Sequence, residues 1–159
     1  METQLIDLLQ TELLPVPYSE FLPAGDDKPA MFVRQDRGRC NYVLALGQWS
    51  ADLPPLAQLG QIRRQIDSWF DASFFRGVGL IILWHGPWKS WSLAREITKP
   101  DRHGLRSTIV QGVIFLDLDS GISKIKQSAW GPMKFGNRKK TFDHIRTALE
   151  KYRHLQSEE

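Results

Sequence analysis

Residues 107–127 read STIVQGVIFLDLDSGISKIKQ. The first part of this stretch is mostly apolar and predicts a long strand over residues 107–118. Asp119, Ser120 and Gly121 have the composition of a tight hairpin turn. Residues 122–127 then alternate lysine with isoleucine, as edge strands do when charged side chains protect them from further pairing. The stretch therefore predicts an antiparallel hairpin whose second strand lies at an edge of the sheet.

Two further apolar segments and a second hairpin extend this sheet. Residues 30–35 and 40–47 predict two strands joined by a turn at Gly38, which is free to adopt a positive φ. Residues 40–47 place apolar side chains on both faces, which is typical of a central strand. The longest apolar run of the chain, residues 77–84, predicts another strand.

Three amphipathic helices complete the predicted elements. Apolar residues recur at spacings of three and four over residues 2–14, from Pro54 to Phe70, and over residues 138–154. In the second helix the apolar stripe includes Leu56, Leu59 and Ile66. The prolines of the segment 15–30 predict a loop there.

The predicted order is α-β-β-α-β-β-β-α in a single domain over residues 1–159. Two hairpins without regular strand–helix alternation predict an α+β fold with a mainly antiparallel five-stranded sheet and three helices. This order of elements resembles that of the small roadblock and profilin-like domains, in which a five-stranded sheet lies between helices. The resemblance implies a domain that docks partner proteins.

The composition predicts a globular, cytoplasmic chain that does not cross a membrane. Hydrophobic residues make up 42% and charged residues 25% of the 159 residues, which are globular values. The run over 77–84 is far shorter than the ~20 residues that span a bilayer. The start of the chain lacks the pattern of a secretory signal, and a single cysteine, Cys40, excludes an internal disulfide.

The charges are distributed unevenly around a net charge of +3. Residues 1–30 are predominantly acidic, and residues 124–154 are predominantly basic. This asymmetry predicts either that the two ends pack against one another or that the basic end faces an anionic partner.

Aromatic and basic residues gather in two regions that we consider as binding sites. The first region, residues 84–106, reads WHGPWKSW at its start and contributes Trp88, Trp91, Arg95, Arg102, His103 and Arg106. Such a mixture suits anchors for a protein partner or stacking on nucleic-acid bases. Alternatively, Trp84 and one later tryptophan belong to the core.

The second region is a basic run at the start of the last helix. It contributes Lys134, Arg138, Lys139 and Lys140. Cations at a helix N-terminus are unfavourable unless an anion binds there. The alternative, a solvated basic face, is the interpretation we favour.

Catalytic patterns are weak. Asp117 and Asp119 lie on one face of a strand and could hold a metal for phosphoesterase or nuclease chemistry, with His103 as a further group. We favour the alternative that Asp119 starts a turn and that Asp117 pairs with Lys124 across the hairpin. Cys40 is expected to be buried and inert. No metal or cofactor is predicted.

The sequence thus favours a non-enzymatic binding or regulatory domain that docks a macromolecular partner. The expected partner is another protein or a second copy of the chain. The alternatives are a nucleic-acid-binding protein that uses the two basic regions, and a metal-dependent phosphoesterase or nuclease.

Overall fold

A computed structural model describes residues 2–15, 18–26, 28–36, 40–48, 50, 52–70, 77–86, 108–128 and 138–158. Within these ranges lie three helices and six strands. The helices are α1 (Glu2–Leu13), α2 (Pro55–Trp69) and α3 (Arg138–Glu158), and the strands are β1 (Glu20–Leu22), β2 (Met31–Asp36), β3 (Cys40–Gln48), β4 (Gly77–His85), β5 (Thr108–Leu116) and β6 (Ser123–Gln127). None of the helices described is both long and apolar enough to cross a membrane.

The six strands form one mixed sheet in which the spatial order follows the chain order. The pairs β1–β2, β2–β3 and β5–β6 are antiparallel, whereas β3–β4 and β4–β5 are parallel. The α+β class and the three helices are confirmed. The prediction of five mainly antiparallel strands is wrong in the number of strands and in the pairing at the centre.

Both differences have a physical reason. β1 is only three residues long and pairs with β2 inside the stretch predicted as a loop, from Glu20 opposite Val33 to Leu22 opposite Met31. The β3–β4 pair is parallel because α2 carries the chain from the end of β3 back to the start of β4, a connection that parallel strands require. Residues 87–107, which connect β4 to β5, lie outside the described ranges. With an added strand and a parallel centre, the sheet departs from the five-stranded arrangement on which the roadblock and profilin-like resemblance rests.

The sheet separates two apolar layers. On one face, Leu44 and Leu46 of β3 join α1 and α3 in a core that includes Phe142 and Tyr152. On the other face, Val43, Ala45 and neighbouring strand residues pack against α2. Apolar side chains therefore occupy both faces of β3, which lies between β2 and β4 as predicted for a central strand.

The first and last helices run antiparallel on the same face of the sheet. Lys151 Nζ forms an ion pair with Glu12, and Gln156 Nε2 lies 3.5 Å from Gln4 Oε1. The helices of the acidic start and the basic end of the chain therefore contact one another, with one pair of opposite charges between them.

The direction of α3 is set by its contacts with β5 and with the turn that follows β5. Near its start, Phe142 lies so close to Gly112 of β5 that a Cβ there would be 2.4 Å from the ring. Near its end, Arg153 packs against Gly121, and the Tyr152 hydroxyl donates a hydrogen bond to Leu118 O. The C-terminal end of α3 therefore lies beyond the carboxyl end of β5.

Candidate functional site

The three parallel strands end at the same edge of the sheet. The register places Gln48 of β3 opposite His85 of β4, and His85 opposite Leu116 of β5. Chain segments beyond the carboxyl ends of parallel strands form the usual binding site of open sheets with parallel strands. Here that edge also collects the start of α1, the start of α2 and the end of α3.

Four exposed apolar side chains lie on segments that begin or end near this edge. In the part of the chain that the structure describes, the large hydrophobic residues that remain exposed are Leu53 (42%), Leu56 (57%), Ile122 (48%) and Leu155 (42%). Leu53 and Leu56 flank the start of α2. Ile122 follows the turn after β5, and Leu155 lies on the last turns of α3. We call these four residues, together with His85, the carboxyl-edge surface.

The side chain of Gln58 fixes the loop that precedes α2 and carries Leu53. Its side chain is only 6% exposed. Nε2 donates to Ser50 O at 2.7 Å and to Leu53 O at 2.9 Å, and Oε1 accepts from Ser50 N at 3.3 Å. A buried amide thus binds three backbone groups of an exposed loop, so Leu53 is held in one position while the helix holds Leu56.

The turn that carries Ile122 is fixed in a similar way. Asp117 Oδ1 accepts from Asp119 N at 3.1 Å, and Oδ2 accepts from Ser120 Oγ at 2.8 Å. Gly121 has φ +64° and approaches α3 so closely that a Cβ there would lie 2.7 Å from Arg153 Cα. Hydrogen bonds within the turn therefore fix its conformation, and Gly121 packs against the C-terminal end of α3.

These contacts show how the structure uses Asp117 and Asp119, whereas His103, the further group of the metal interpretation, lies outside the described ranges. The predicted turn is confirmed. The ion pair between Asp117 and Lys124 stays a prediction, because Lys124 lies opposite Phe115, two residues from the position opposite Asp117 on the same face of the hairpin. Both oxygens of Asp117 accept hydrogen bonds within the turn. Among the described residues there is no group of three or more His, Cys, Asp or Glu side chains placed to hold a metal ion.

His85 is the last residue of β4 and lies at the same edge of the sheet. It is 8% exposed, and its Nε2 lies 3.5 Å from Oε1 of Glu2, a largely exposed residue at the start of α1. The next residue, Gly86, has φ 126° and donates its N–H to Leu116 O, where the chain leaves the sheet. The neighbouring Trp84 is buried against Phe115, which confirms the alternative that this tryptophan belongs to the core.

Most of the binding residues predicted from sequence fall outside the described ranges. These are Trp88, Trp91, Arg95, Arg102, His103, Arg106 and Lys134. Arg138, Lys139 and Lys140 form the first turn of α3, where Lys139 and Lys140 are exposed. This turn is at the end of α3 opposite to Leu155, about 24 Å away at the helical rise per residue.

The exposed side of α3 does not continue the basic run. Lys139, Asp143, Arg146, Glu150 and Arg153 recur at helical spacing and alternate in sign, and Arg146 pairs with Asp143 at 3.1 Å. Alternating charges of this kind are typical of a solvated helix face. They agree with the solvated alternative for this helix.

The sequence patterns missed the apolar members of the carboxyl-edge surface. Leu56 fits the apolar stripe of α2, yet it is exposed while Leu59 and Ile66 of the same stripe are buried. A usable signal was present, because Leu53 precedes the two prolines at the helix start and so lies outside any helical stripe.

No protein-family model matches this chain, and comparison with curated proteins and with solved structures likewise finds no significant match.

Proposed function

We propose that this chain is a protein-docking domain and that its partner binds the carboxyl-edge surface. The observation that carries the proposal is that the large hydrophobic side chains exposed in the described part of the chain all lie on segments that begin or end at one edge of the sheet. Single exposed hydrophobic residues scattered over a surface are ordinary, whereas their concentration in one region is typical of interaction sites.

The rigidity of the surface supports the same proposal. Binding costs less conformational entropy when the contact residues are already fixed. Gln58 fixes the backbone of Leu53, and the side chain of Asp117 fixes the turn that precedes Ile122. The contact between His85 Nε2 and the largely exposed Glu2 side chain adds a polar element of the kind that accompanies apolar anchors in interfaces.

The charges favour a protein over a nucleic acid as the partner. Binding to nucleic acid requires cations that converge on phosphates. The lysines at the start of α3 lie at the opposite end of that helix from Leu155, and the exposed side between them alternates in sign. The exposed leucine and isoleucine side chains of the carboxyl-edge surface are suited to contact apolar side chains of another protein.

Site-specific photo-crosslinking in cells tests this proposal. A photoreactive amino acid is placed in turn at positions 56, 122 and 155, which lie on three separate elements of the carboxyl-edge surface. We expect all three positions to capture the same protein, in a complex that resists nuclease treatment.

The chain offers matched controls at the other ends of the same helices. Ser68 of α2 and Lys139 of α3 are exposed and lie away from the carboxyl edge, so the reactive group at these positions should not capture that protein. Capture of a second copy of the chain would make the partner a self-associated protomer. Capture of nucleic acid, or equal capture from the control positions, would refute the proposal.

A further inference from the structure

β6 forms an edge of the sheet, and the hydrogen bonds at its two ends fix which of its backbone groups face outward. Asp117 N donates to Ile122 O, and Ser128 N donates to Gln111 O, both at 2.9 Å. In an antiparallel pair, hydrogen-bonded and non-hydrogen-bonded residue pairs alternate. The register of β5 and β6 is continuous between these two bonds, so Lys124 and Lys126 bond to β5.

The intervening residues Ser123, Ile125 and Gln127 therefore direct their N–H and C=O groups away from β5. In the part of the chain that the structure describes, β6 pairs with β5 alone. The opposite edge of the sheet differs, because β1 is only three residues long. β6 thus offers the longer edge, with backbone donors and acceptors from three residues.

The side chains of β6 define two chemically different faces. Lys124 and Lys126 lie opposite Phe115 and Val113, on the α2 face of the sheet. Ile125 lies opposite Ile114 on the face of α1 and α3, where it packs against the core. An added strand would therefore meet two lysines on one face and an isoleucine on the other.

This pattern disfavours pairing of β6 with a second copy of itself. Opposite residues of paired strands lie on the same face of a sheet. Every antiparallel register that keeps the two faces in line and pairs more than one residue of each β6 places a lysine of one copy opposite a lysine of the other, and like charges directly opposite are destabilising. Self-association through this edge is thus opposed by the same residues that favour an acidic strand.

We propose that β6 binds an extended acidic segment of another protein by strand addition, with acidic side chains opposite Lys124 and Lys126 and an apolar side chain between them. The backbone groups of Ser123, Ile125 and Gln127 supply the hydrogen bonds. The pairs opposite the lysines are non-hydrogen-bonded pairs, in which the side chains of the two strands lie closest. This site is distinct from the carboxyl-edge surface.

A titration of the full chain with synthetic peptides tests the charge pattern. The probe is a Thr-Glu-Ile-Glu-Thr peptide, and the control is Thr-Thr-Ile-Thr-Thr. Two opposite-charge pairs predict binding of the acidic peptide that is tighter by about 2- to 30-fold at low salt. The double substitution Lys124→Glu, Lys126→Glu should remove this preference, and equal binding of both peptides by the unmodified chain would overturn the proposal.

Amide hydrogen exchange tests the geometry without a mutation. In the free protein the amides of Lys124 and Lys126 should be protected, whereas those of Ser123, Ile125 and Gln127 should exchange rapidly and become protected when the acidic peptide binds. Protection of the latter three amides in the free protein would show that the edge is already occupied and would overturn the proposal.

The two proposed surfaces can fail separately. Leu56→Ala should leave the affinity for the acidic peptide unchanged, and the Lys124→Glu, Lys126→Glu variant should still be captured from position 56. If the unmodified chain captures its partner but does not bind the acidic peptide, strand addition at β6 is refuted. If it binds the peptide but captures no partner from the carboxyl-edge surface, docking at the carboxyl edge is refuted.

Discussion

The amide of Gln58 holds the loop before α2, so its removal should both destabilise the protein and loosen the docking surface. Gln58→Ala deletes two hydrogen bonds of 2.7 and 2.9 Å and a longer one of 3.3 Å. It also empties a position that is 6% exposed. The backbone groups of Ser50 and Leu53 would then depend on water.

The magnitude follows from the number of bonds and from their exposure. A hydrogen bond contributes about 0.5–1.5 kcal/mol net. The two shorter bonds dominate, and alanine regains a few tenths of a kcal/mol as a better helix former. We therefore expect a loss of about 1–3 kcal/mol in the free energy of unfolding, or a Tm lower by about 2–12 °C for a domain of this size.

Urea unfolding followed by tryptophan fluorescence measures this loss. Gln61→Ala is the matched control, because Gln61 lies one turn further along α2 with its side chain exposed, and it should change the free energy of unfolding by less than about 0.5 kcal/mol. Gln58→Ala should also reduce photo-crosslinking from position 53, whose backbone the amide holds. Equal stability of the two variants would show that the amide does not hold the loop.

Three further predictions concern packing and ionisation. Gly121→Ala should destabilise the protein by about 2–4 kcal/mol, because φ is +64° and a Cβ would lie 2.7 Å from the α3 backbone. Gly25→Ala is the control: a Cβ at Gly25 would have no neighbouring atom within 4 Å, so the unfolding midpoint should change little. Gly112→Ala should lower the free energy of unfolding by about 1–3 kcal/mol, since the added Cβ lies 2.4 Å from the Phe142 ring. A double-mutant cycle should show a smaller loss when Phe142→Leu is also present. An unchanged loss would contradict the clash. Burial raises the pKa of Tyr18 above its usual range, so the unfolded state ionises first and stability should fall above about pH 10, by up to about 1.4 kcal/mol per pH unit. Tyr18→Phe should flatten this decline in alkaline urea titrations, and an equally steep decline would contradict the assignment.

Helices and central strands could be predicted because their patterns repeat over many residues. The predicted bounds of the strands over 40–47 and 77–84 differ from β3 and β4 by a single residue. α3 extends to Glu158, four residues beyond its predicted end, because helix ends carry a weaker pattern than helix centres.

Strand direction could not be predicted in the same way. The apolar residues on both faces of the strand over 40–47 indicate a central position, but they do not indicate whether the next strand runs parallel or antiparallel. β1 escaped prediction because its three residues are held by β2 and not by any pattern of their own.

The candidate site depended on long-range geometry that sequence patterns do not contain. Leu53 and Leu155 are separated by most of the chain, and they share an edge only because α2 starts and α3 ends beyond the carboxyl ends of parallel strands. The aspartate turn was predictable because Asp117, Asp119 and Ser120 interact within a few residues of one another.

The most direct test of docking at the carboxyl edge is the affinity of the purified chain for the protein captured from position 56, measured by titration calorimetry. Leu56→Ala and Leu155→Ala, on two different helices, should each weaken binding by about 5-fold or more, as truncation of an interface anchor does. Ser68→Ala and Lys139→Ala, at the far ends of the same helices, should leave the affinity within about 2-fold. Equal affinities of all four variants would contradict docking at this edge.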